Sequence, residues 1–290
     1  MDFSFKSALS HDDELTRKFY FYFGKFPIKS FLKSFFILWI GYLKIETKDL
    51  DFSGKRVLIT GAASGIGAEM AKTFSEHGAS LILADITKIQ KDDSKRLSGL
   101  VKTIQFDQAD PTSIAKMAKE VGRVDVLLNN AGVVWMGPFE EMSDLDINRL
   151  IAINLVGHIT VAQKIGKSML EQRSGVIINT SSQLAFHGAA ERAVYAATKA
   201  GVSQFTKSIA AEWASKGVRV AGIAPGRTLT ALNKNALDTN SKRNIALQGI
   251  PAGRFAEAHE MAKLALLLSS DLLNYVVGET IISDGGYVLL

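Results

Sequence analysis

The chain has 290 residues, of which 47% are hydrophobic, so it can bury a core of one or two domains. It contains no cysteine, which excludes disulfides, a thiol nucleophile and zinc–thiolate sites and fits a reducing, cytoplasmic location. The net charge of +5 comes from residues 15–45, whose six basic and no acidic side chains leave the remainder near −1. Because that remainder is not basic, we expect no nucleic-acid-binding surface on it. The five histidines form no H-x-x-x-H pattern, so we also expect no metal site.

Residues 1–50 are predicted to form a basic and aromatic helical extension, which holds 13 of the chain's 25 aromatic residues. A helix-like pattern begins at Pro27, and the stretch Phe35–Leu43 is apolar on all sides. That stretch is far shorter than the ~20 residues that span a bilayer, and the acidic residues 12–14 before it do not fit a signal peptide. Two interpretations stay open: peripheral membrane contact through residues 17–45, or packing against this chain's own domain or a neighbouring subunit.

A glycine-rich turn follows the first strand-like pattern of the chain, Arg56–Ile59. The turn places glycines at 61, 65 and 67, and a helix-like stretch from 68 to 77 comes directly after it. Glycines at this spacing allow a tight turn and let backbone N–H groups approach a pyrophosphate at a helix N-terminus. The strand–turn–helix context therefore predicts a dinucleotide-binding loop.

Apolar strand patterns alternate with helical stretches from residue 55 onward. They read as continuous Val, Ile and Leu runs, which is typical of parallel strands that are covered on both faces. The alternation predicts an α/β fold with a doubly wound, Rossmann-type parallel sheet in three layers. The predicted strands are Arg56–Thr60, Ser80–Ala84, Lys102–Phe106, Val124–Leu128, Gly175–Asn179, Arg219–Ile223 and Thr280–Ser283.

Asp85 lies at the end of the second strand, 18 residues after Gly67. A carboxylate at this place can accept hydrogen bonds from a ribose diol and repel a 2′-phosphate, which favours NAD over NADP. The alternative role for Asp85 is that of a helix cap or turn residue.

Tyr195 and Lys199 are four residues apart, so on a helix both side chains lie on one face. A free tyrosine has a pKa of about 10, and a fixed ammonium beside it would lower that pKa and favour the phenolate. Ser182 lies 13 residues before Tyr195 and just after the apolar run Val176–Ile178, where it is well placed to donate a hydrogen bond to a carbonyl oxygen. An isolated Tyr–Lys pair indicates no more than an exposed helix face, but the three groups together predict proton transfer at a substrate oxygen.

Further polar motifs complete an ordered set: the Asn-Asn-Ala-Gly run at 129–132, Asn154, and the Pro-Gly turn at 225–226. With the glycine loop and the Tyr-x-x-x-Lys run, they make residues 51–290 resemble the short-chain dehydrogenase/reductase family. The resemblance implies one Rossmann-fold catalytic domain at 51–290, preceded by the extension at 1–50. It also implies the catalytic residues Asn154, Ser182, Tyr195 and Lys199.

The resemblance implies a separate role for each of these residues. Tyr195 exchanges a proton with the substrate oxygen, while Ser182 holds and polarises that oxygen. Lys199 lowers the pKa of Tyr195 and binds the nicotinamide ribose, and Asn154 holds a water that connects Lys199 to solvent. Ser181 is the adjacent competitor for the serine role, but the interval of 13 residues to Tyr195 favours Ser182.

The resemblance implies NAD rather than NADP as cofactor, since Ser64 stands where NADP-preferring relatives often carry Arg or Lys. Two positions depart from the family pattern: Gln108 replaces an aliphatic residue near the adenine ring, and Thr228 replaces one near the nicotinamide. Arg227 is interpreted as solvated, with contact to an acidic substrate group as the alternative. The implied cofactor contacts are Gly61, Ser64, Gly65, Ile66, Gly67, Asp85, Asp107, Asn130, Tyr195, Lys199 and Thr228.

These features predict an NAD(H)-dependent oxidoreductase that interconverts a secondary alcohol and a ketone on a small-molecule substrate. One alternative is a 3-oxoacyl-thioester reductase, which the pattern from Pro251 to Gly286 resembles, and another is a non-catalytic NAD-binding protein of this fold. Substrate contacts are expected from residues 134–136, residues 184–187 and the lid-like stretch Leu229–Arg254. The resemblance also implies a homodimer or homotetramer.

Overall fold

The computed structural model describes residues 47–89, 97–230, 244 and 246–290, and in this part seven strands form one sheet. The strands of this sheet are β1 (Arg56–Thr60), β2 (Ser80–Asp85), β3 (Leu100–Gln105), β4 (Val126–Asn129), β5 (Gly175–Thr180), β6 (Val218–Pro225) and β9 (Thr280–Ser283). Two short strands, β7 (Thr228–Leu229) and β8 (Ala256–Glu257), form a separate parallel pair. The order across the seven-stranded sheet is β3-β2-β1-β4-β5-β6-β9, and every neighbouring pair is parallel.

All seven predicted strands are confirmed. The first and last have the predicted bounds, and the others differ by one or two residues at their ends. The predicted membrane-contact segment at 17–45, and the extension before Thr47, lie outside the described residues.

The described part of the chain has six helices of eight or more residues: α1 (Gly65–Glu76), α2 (Pro111–Val121), α3 (Asp144–Ile151), α4 (His158–Gln172), α5 (Ala193–Trp213) and α6 (Ala258–Ser269). Five of them cover the sheet. One face packs against α1 and α6, and the other packs against α2, α4 and α5. This arrangement confirms the doubly wound, three-layer α/β fold.

The β1 strand illustrates why the strand patterns are continuously apolar. Val57 and Ile59 belong to the core under α1 and α6, whereas Leu58 belongs to the core on the opposite face. Successive side chains of a strand point to opposite faces, so both faces of a doubly covered strand require apolar residues.

The helical stretch Asp144–Gln172 is long and apolar enough to cross a membrane by length and composition alone. It consists of α3, a π-helical segment at Ala152–Gly157 and α4. Val161, Ile165 and Met169 of α4 are buried against the sheet, which accounts for the apolar composition as that of a core helix.

The order of the strands reverses between β1 and β4, because the chain moves outward to β2 and β3 and then returns to β4. In an open parallel sheet the crevice outside the carboxyl ends at such a reversal is where ligands bind. The loops after β1, β4, β5 and β6 all lie at this edge, and they carry most of the predicted site residues.

Candidate active site

The glycine loop after β1 packs directly on the loop after β4. Gly61 has a φ of +66°, and a Cβ there would lie 2.7 Å from the Ala131 Cα atom. A Cβ on Gly67 would lie 2.0 Å from the Gly61 carbonyl oxygen. Both contacts are with backbone, so these positions accept only glycine.

The N-terminus of α1 supplies backbone donors to the same crevice. The helix begins at Gly65, and its N-cap residue Ser64 forms no side-chain capping hydrogen bond. The first N–H groups of a helix have no acceptor within the helix, and the helix dipole favours negative charge there. The glycine loop and this helix end therefore fit a cofactor pyrophosphate, with Gly65, Ile66 and Gly67 as the donor positions.

The Asp85 carboxylate is tied to the glycine loop. Its Oδ2 atom accepts a hydrogen bond from the Ala63 N–H at 2.9 Å, and its Oδ1 atom accepts one from the Thr87 N–H at 2.8 Å. The bond from Thr87 matches the alternative role of Asp85 as a turn residue. The bond from Ala63 places the carboxylate beside the predicted dinucleotide-binding loop. An ionised carboxylate has about four acceptor positions, so capacity for a ribose diol is left.

Asn130 and Asp107 hold loops at the same edge of the sheet. The Asn130 N–H donates to Thr60 Oγ1 at 2.9 Å, and its Nδ2 atom donates to the Thr60 carbonyl oxygen at 3.2 Å. Asp107 Oδ1 accepts from the Ala109 N–H at 2.8 Å. Both side chains thus shape the loops that face the predicted ribose and adenine sites.

Gln108 has a role that the sequence did not reveal. Its buried Nε2 atom lies 3.0 Å from the carbonyl oxygens of both Ala131 and Ile153, and so joins the loop after β4 to the π-helical segment. The only sign of this role in the sequence was that Gln108 stands where the family pattern has an aliphatic residue.

Asn154 lies in the π-helical segment and is fully buried. Its carboxamide pairs with the backbone of Val133, accepting from the N–H at 2.9 Å and donating to the carbonyl at 2.8 Å. A Cβ on Gly132 would lie 3.2 Å from Asn154 Oδ1 and 3.3 Å from Lys199 Nζ, so these two side chains converge on one glycine. The water-holding role of Asn154 stays a prediction.

Lys199 is buried in α5 behind the carboxyl end of β5. Its Nζ atom donates to the Thr180 carbonyl oxygen at 2.9 Å. Burial lowers the pKa of the Lys199 ammonium to about 8, because the charged form loses its hydration. The amine is therefore poised to change protonation state near neutral pH.

Tyr195 lies one helical turn before Lys199, with the Nζ atom 6.0 Å from the centroid of its ring. Burial raises the pKa of the Tyr195 phenol, while a hydrogen bond with Ser182 and the charge of Arg192 act to lower it. Lys199 is not among the groups that shift this pKa here, so the lowering that the sequence assigned to it stays a prediction. The ammonium is directed at the Thr180 carbonyl, and the cost of burying a phenolate is larger than the opposing effects.

The two adjacent serines have different environments. Ser181 Oγ contacts the Lys199 carbonyl oxygen at 2.8 Å and Ser203 Oγ at 2.7 Å, both within the protein interior. Ser182 Oγ accepts from the Leu184 N–H at 3.2 Å and interacts with the Tyr195 phenol. Ser182 is thus the serine that faces the Tyr195 phenol, and its catalytic role stays a prediction.

This difference predicts unlike effects for two matched substitutions. We expect Ser182→Ala to lower kcat by about 10²-fold, because an oxyanion-type donor is lost while the fold is kept. Ser181→Ala should lower thermal stability by removing a buried hydrogen-bonded hydroxyl, with a smaller change in kcat. Steady-state kinetics and thermal unfolding of both variants check this, and a larger loss of kcat in Ser181→Ala would reverse the assignment.

The remaining predicted positions lie in the loops after β4, β5 and β6. Thr228 is buried, and its Oγ1 atom donates to the Gly226 carbonyl oxygen at 3.0 Å. Of the predicted substrate-facing residues, Val134, Met136 and Phe186 expose apolar surface. The predicted lid-like stretch lies outside the described residues at 231–243 and 245.

Comparison with known proteins places these features in a family. The family model for short chain dehydrogenases matches residues 55–241. A D-threitol dehydrogenase from Mycolicibacterium smegmatis is 38% identical over 255 residues, which cover 83% of this chain and 96% of that protein. A 3-oxoacyl-acyl-carrier-protein reductase from Thermotoga maritima is 38% identical over 244 residues, which cover 81% of this chain and 98% of that protein.

The fold has close matches among solved structures. A protein from Beutenbergia cavernae, described as an NAD(P)-dependent gluconate 5-dehydrogenase with bound NADP, superimposes with a TM-score of 0.78 at 32% identity. The match covers 83% of this chain and all of that one. Members of this family act on small molecules, bind NAD(P) and commonly form oligomers. The chain belongs to the short-chain dehydrogenase/reductase family of oxidoreductases.

Proposed function

We propose that this protein is an NAD(H)-dependent oxidoreductase that interconverts a secondary alcohol and a ketone. The observation that carries the proposal is the grouping of Ser182, Tyr195 and Lys199 at the carboxyl edge of β5, where Ser182 interacts with the Tyr195 phenol and Lys199 lies 6.0 Å from its ring. The uncapped helix end after the glycine loop lies at the same edge and suits a dinucleotide. A non-catalytic protein would have no need of the complete set.

In this proposal the protein's own residues handle the proton. Tyr195 accepts the hydroxyl proton during alcohol oxidation and returns a proton to the alkoxide during ketone reduction. Ser182 donates a hydrogen bond to the same substrate oxygen, and Lys199 exchanges the proton with solvent through a water that Asn154 holds. The chemistry that a bound nicotinamide supplies is the exchange of a hydride with the substrate carbon.

NAD is the proposed cofactor because of the charge at Asp85. A carboxylate next to the glycine loop can bond a ribose diol but repels the dianionic 2′-phosphate of NADP. The gluconate 5-dehydrogenase relative contains NADP, so membership of the family alone does not decide between the two cofactors.

The cofactor proposal is tested through the ratio of kcat/KM for NAD to that for NADP. We expect the wild type to favour NAD, and Asp85→Ser to shift the ratio toward NADP by roughly 10- to 100-fold as the repulsion is removed. Asp144→Asn, an exposed carboxylate in the first turn of α3, is the matched control and should leave the ratio unchanged. A wild-type preference for NADP would contradict the proposal.

The reaction is tested by absorbance at 340 nm with the purified full-length protein. A panel of secondary alcohols, sugars, hydroxysteroids and 3-oxoacyl thioesters is run with each cofactor. Turnover of a hydroxyl or ketone substrate supports the proposal. The Thermotoga maritima relative favours a second candidate, a 3-oxoacyl-thioester reductase, which reduces the ketone of an acyl thioester. Turnover of 3-oxoacyl thioesters alone would select this candidate.

A homodimer or homotetramer is part of the same proposal. Leu145, Val156 and Ile159 expose apolar side chains along the stretch Asp144–Gln172. Apolar side chains in a row on one helical stretch suit contact between copies of a chain.

A further inference from the structure

Two arginines approach the candidate active site from different elements. Arg192 is the N-cap residue of α5, three positions before Tyr195. The charge of Arg192 acts on the Tyr195 phenol, so the guanidinium lies near that group. Arg227 directly follows the Gly226 turn at the carboxyl end of β6, the strand next to β5.

An aromatic contact ties Arg227 to the loop that carries Ser182. Its guanidinium lies 5.7 Å from the centroid of the Tyr287 ring. The same ring lies 5.3 Å from the His187 ring in an edge-to-face arrangement. His187 is five residues after Ser182, and a Cβ on Gly226 would lie 2.8 Å from Gln183 Oε1, so Arg227 and its aromatic contacts lie beside the loop that carries Ser182.

Among the described residues, neither guanidinium forms an ion pair with a carboxylate, because the ion pairs of Lys and Arg there involve other residues. Arg192 donates instead to the Glu191 backbone carbonyl at 3.1 Å and contacts the Met136 sulfur. Burial and the like charge of Arg227 both disfavour its charged form, so they lower the pKa of Arg192.

The like charges of Arg192 and Arg227 act against each other, so a negative charge between them would be stabilised. The Glu191 carboxylate is exposed and favours the charge on Arg192, but it forms no ion pair with it. Arg192 is partly shielded from water, whereas Arg227 is exposed and lies over the Tyr287 ring. Planar guanidiniums are the groups that recognise carboxylates and phosphates.

We propose that the substrate of the proposed reaction carries an anionic group, a carboxylate or a phosphate, which Arg192 and Arg227 bind while Tyr195 and Ser182 engage the reacting hydroxyl or ketone. The inference rests on the proposed function for the identity of the reaction. It narrows the substrate class to hydroxy acids, oxo acids and sugar phosphates. For Arg227 it favours contact with an acidic substrate group, which was the alternative interpretation of the sequence, over a solvated side chain.

The test compares three polyols of one carbon skeleton: D-sorbitol, which is neutral, D-gluconate, which has a carboxylate, and sorbitol 6-phosphate. The measured quantity is the ratio of kcat/KM for each anionic polyol to that for sorbitol. We expect this ratio to exceed one in the wild type and to fall by about 10- to 100-fold in Arg192→Gln and in Arg227→Gln. The anion that gives the larger ratio identifies its source as carboxylate or phosphate.

Arg123→Gln is the control, because this exposed arginine pairs with Asp125 at the opposite edge of the sheet. It removes the same charge and should keep the wild-type ratios. Ratios near one in the wild type, or ratios that Arg192→Gln and Arg227→Gln leave intact, would overturn the inference. So would a loss in these variants that appears in cofactor affinity and is equal for all three polyols, because the arginines would then serve the cofactor phosphates.

A binding measurement separates this inference from the proposed function. Calorimetry of the wild type with NADH measures the affinity for gluconate, sorbitol and sorbitol 6-phosphate without turnover. If none of the three is turned over, tighter binding of an anion that both arginine variants weaken would sustain the anion site while the reaction is assigned elsewhere. Equal binding of the three would overturn the site itself.

Discussion

Replacement of Tyr195 by Phe is expected to lower kcat by roughly 10³-fold and to leave cofactor affinity within a few-fold of the wild type. The change removes the one hydroxyl that can exchange a proton with the substrate oxygen, while the ring keeps its packing. Lys199 remains bonded to the Thr180 carbonyl, so the substitution leaves no buried amine without a partner.

Tyr275→Phe provides the matched control, since Tyr275 is 97% exposed and lies away from the candidate site on the chain segment before β9. Turnover is followed at 340 nm, and NADH binding by its fluorescence. The control should match the wild type in both. Near-normal turnover in Tyr195→Phe would show that another group transfers the proton and would remove the basis of the proposed mechanism.

The fold was predictable because its signals are local. Each strand of a doubly covered sheet is a short apolar run, and β1 shows both faces of it within three residues, Val57 to Ile59. The glycine loop was equally predictable. A side chain at Gly61 or Gly67 would meet backbone atoms, and any chain with this turn places backbone atoms there.

The features that sequence could not supply depend on contacts between distant parts of the chain. Arg192 and Arg227 are 35 residues apart, and the pairing of β5 with β6 brings the chain segments that carry them to one edge of the sheet. The direction of the Tyr195 pKa depends on how deeply α5 is buried and on where the Lys199 ammonium points. Neither quantity is encoded in the spacing of the motif.

A buried polar network behind the site is a further example. The Asn129 Nδ2 atom donates to the His158 carbonyl oxygen and to Asn179 Oδ1, both at 3.0 Å. The Gln108 Nε2 atom lies 3.2 Å from His158 Nδ1. These contacts join residues 29 to 50 positions apart in the chain, so no local sequence pattern reveals the network.

Acid is expected to destabilise the protein through His158. This side chain is fully buried, and its Nε2 atom has no hydrogen-bond partner among the described residues. Burial, with a smaller effect from the charge of Lys199, lowers the pKa of His158 from 6.5 to about 3. Between these two values the unfolded chain binds a proton that the folded chain does not, so the contribution of His158 to stability is complete above pH 6.5 and is lost as the pH falls toward 3.

The expected loss between pH 7.5 and pH 5 is about 2 kcal/mol of unfolding free energy, at 1.36 kcal/mol per pH unit below the unfolded pKa. Urea denaturation at the two pH values and at fixed protein concentration measures this loss.

His158→Gln, or His158→Met if the first variant folds poorly, should make the pH dependence of the unfolding free energy shallower by this amount, whatever its absolute stability. His259→Gln, which removes a partly exposed histidine beside Glu257, should change this dependence by less than His158→Gln does. Lys199 affects this window little, because its pKa of about 8 leaves it largely protonated in both states. An unchanged dependence in both His158 variants would mean that the buried imidazole does not govern the acid sensitivity.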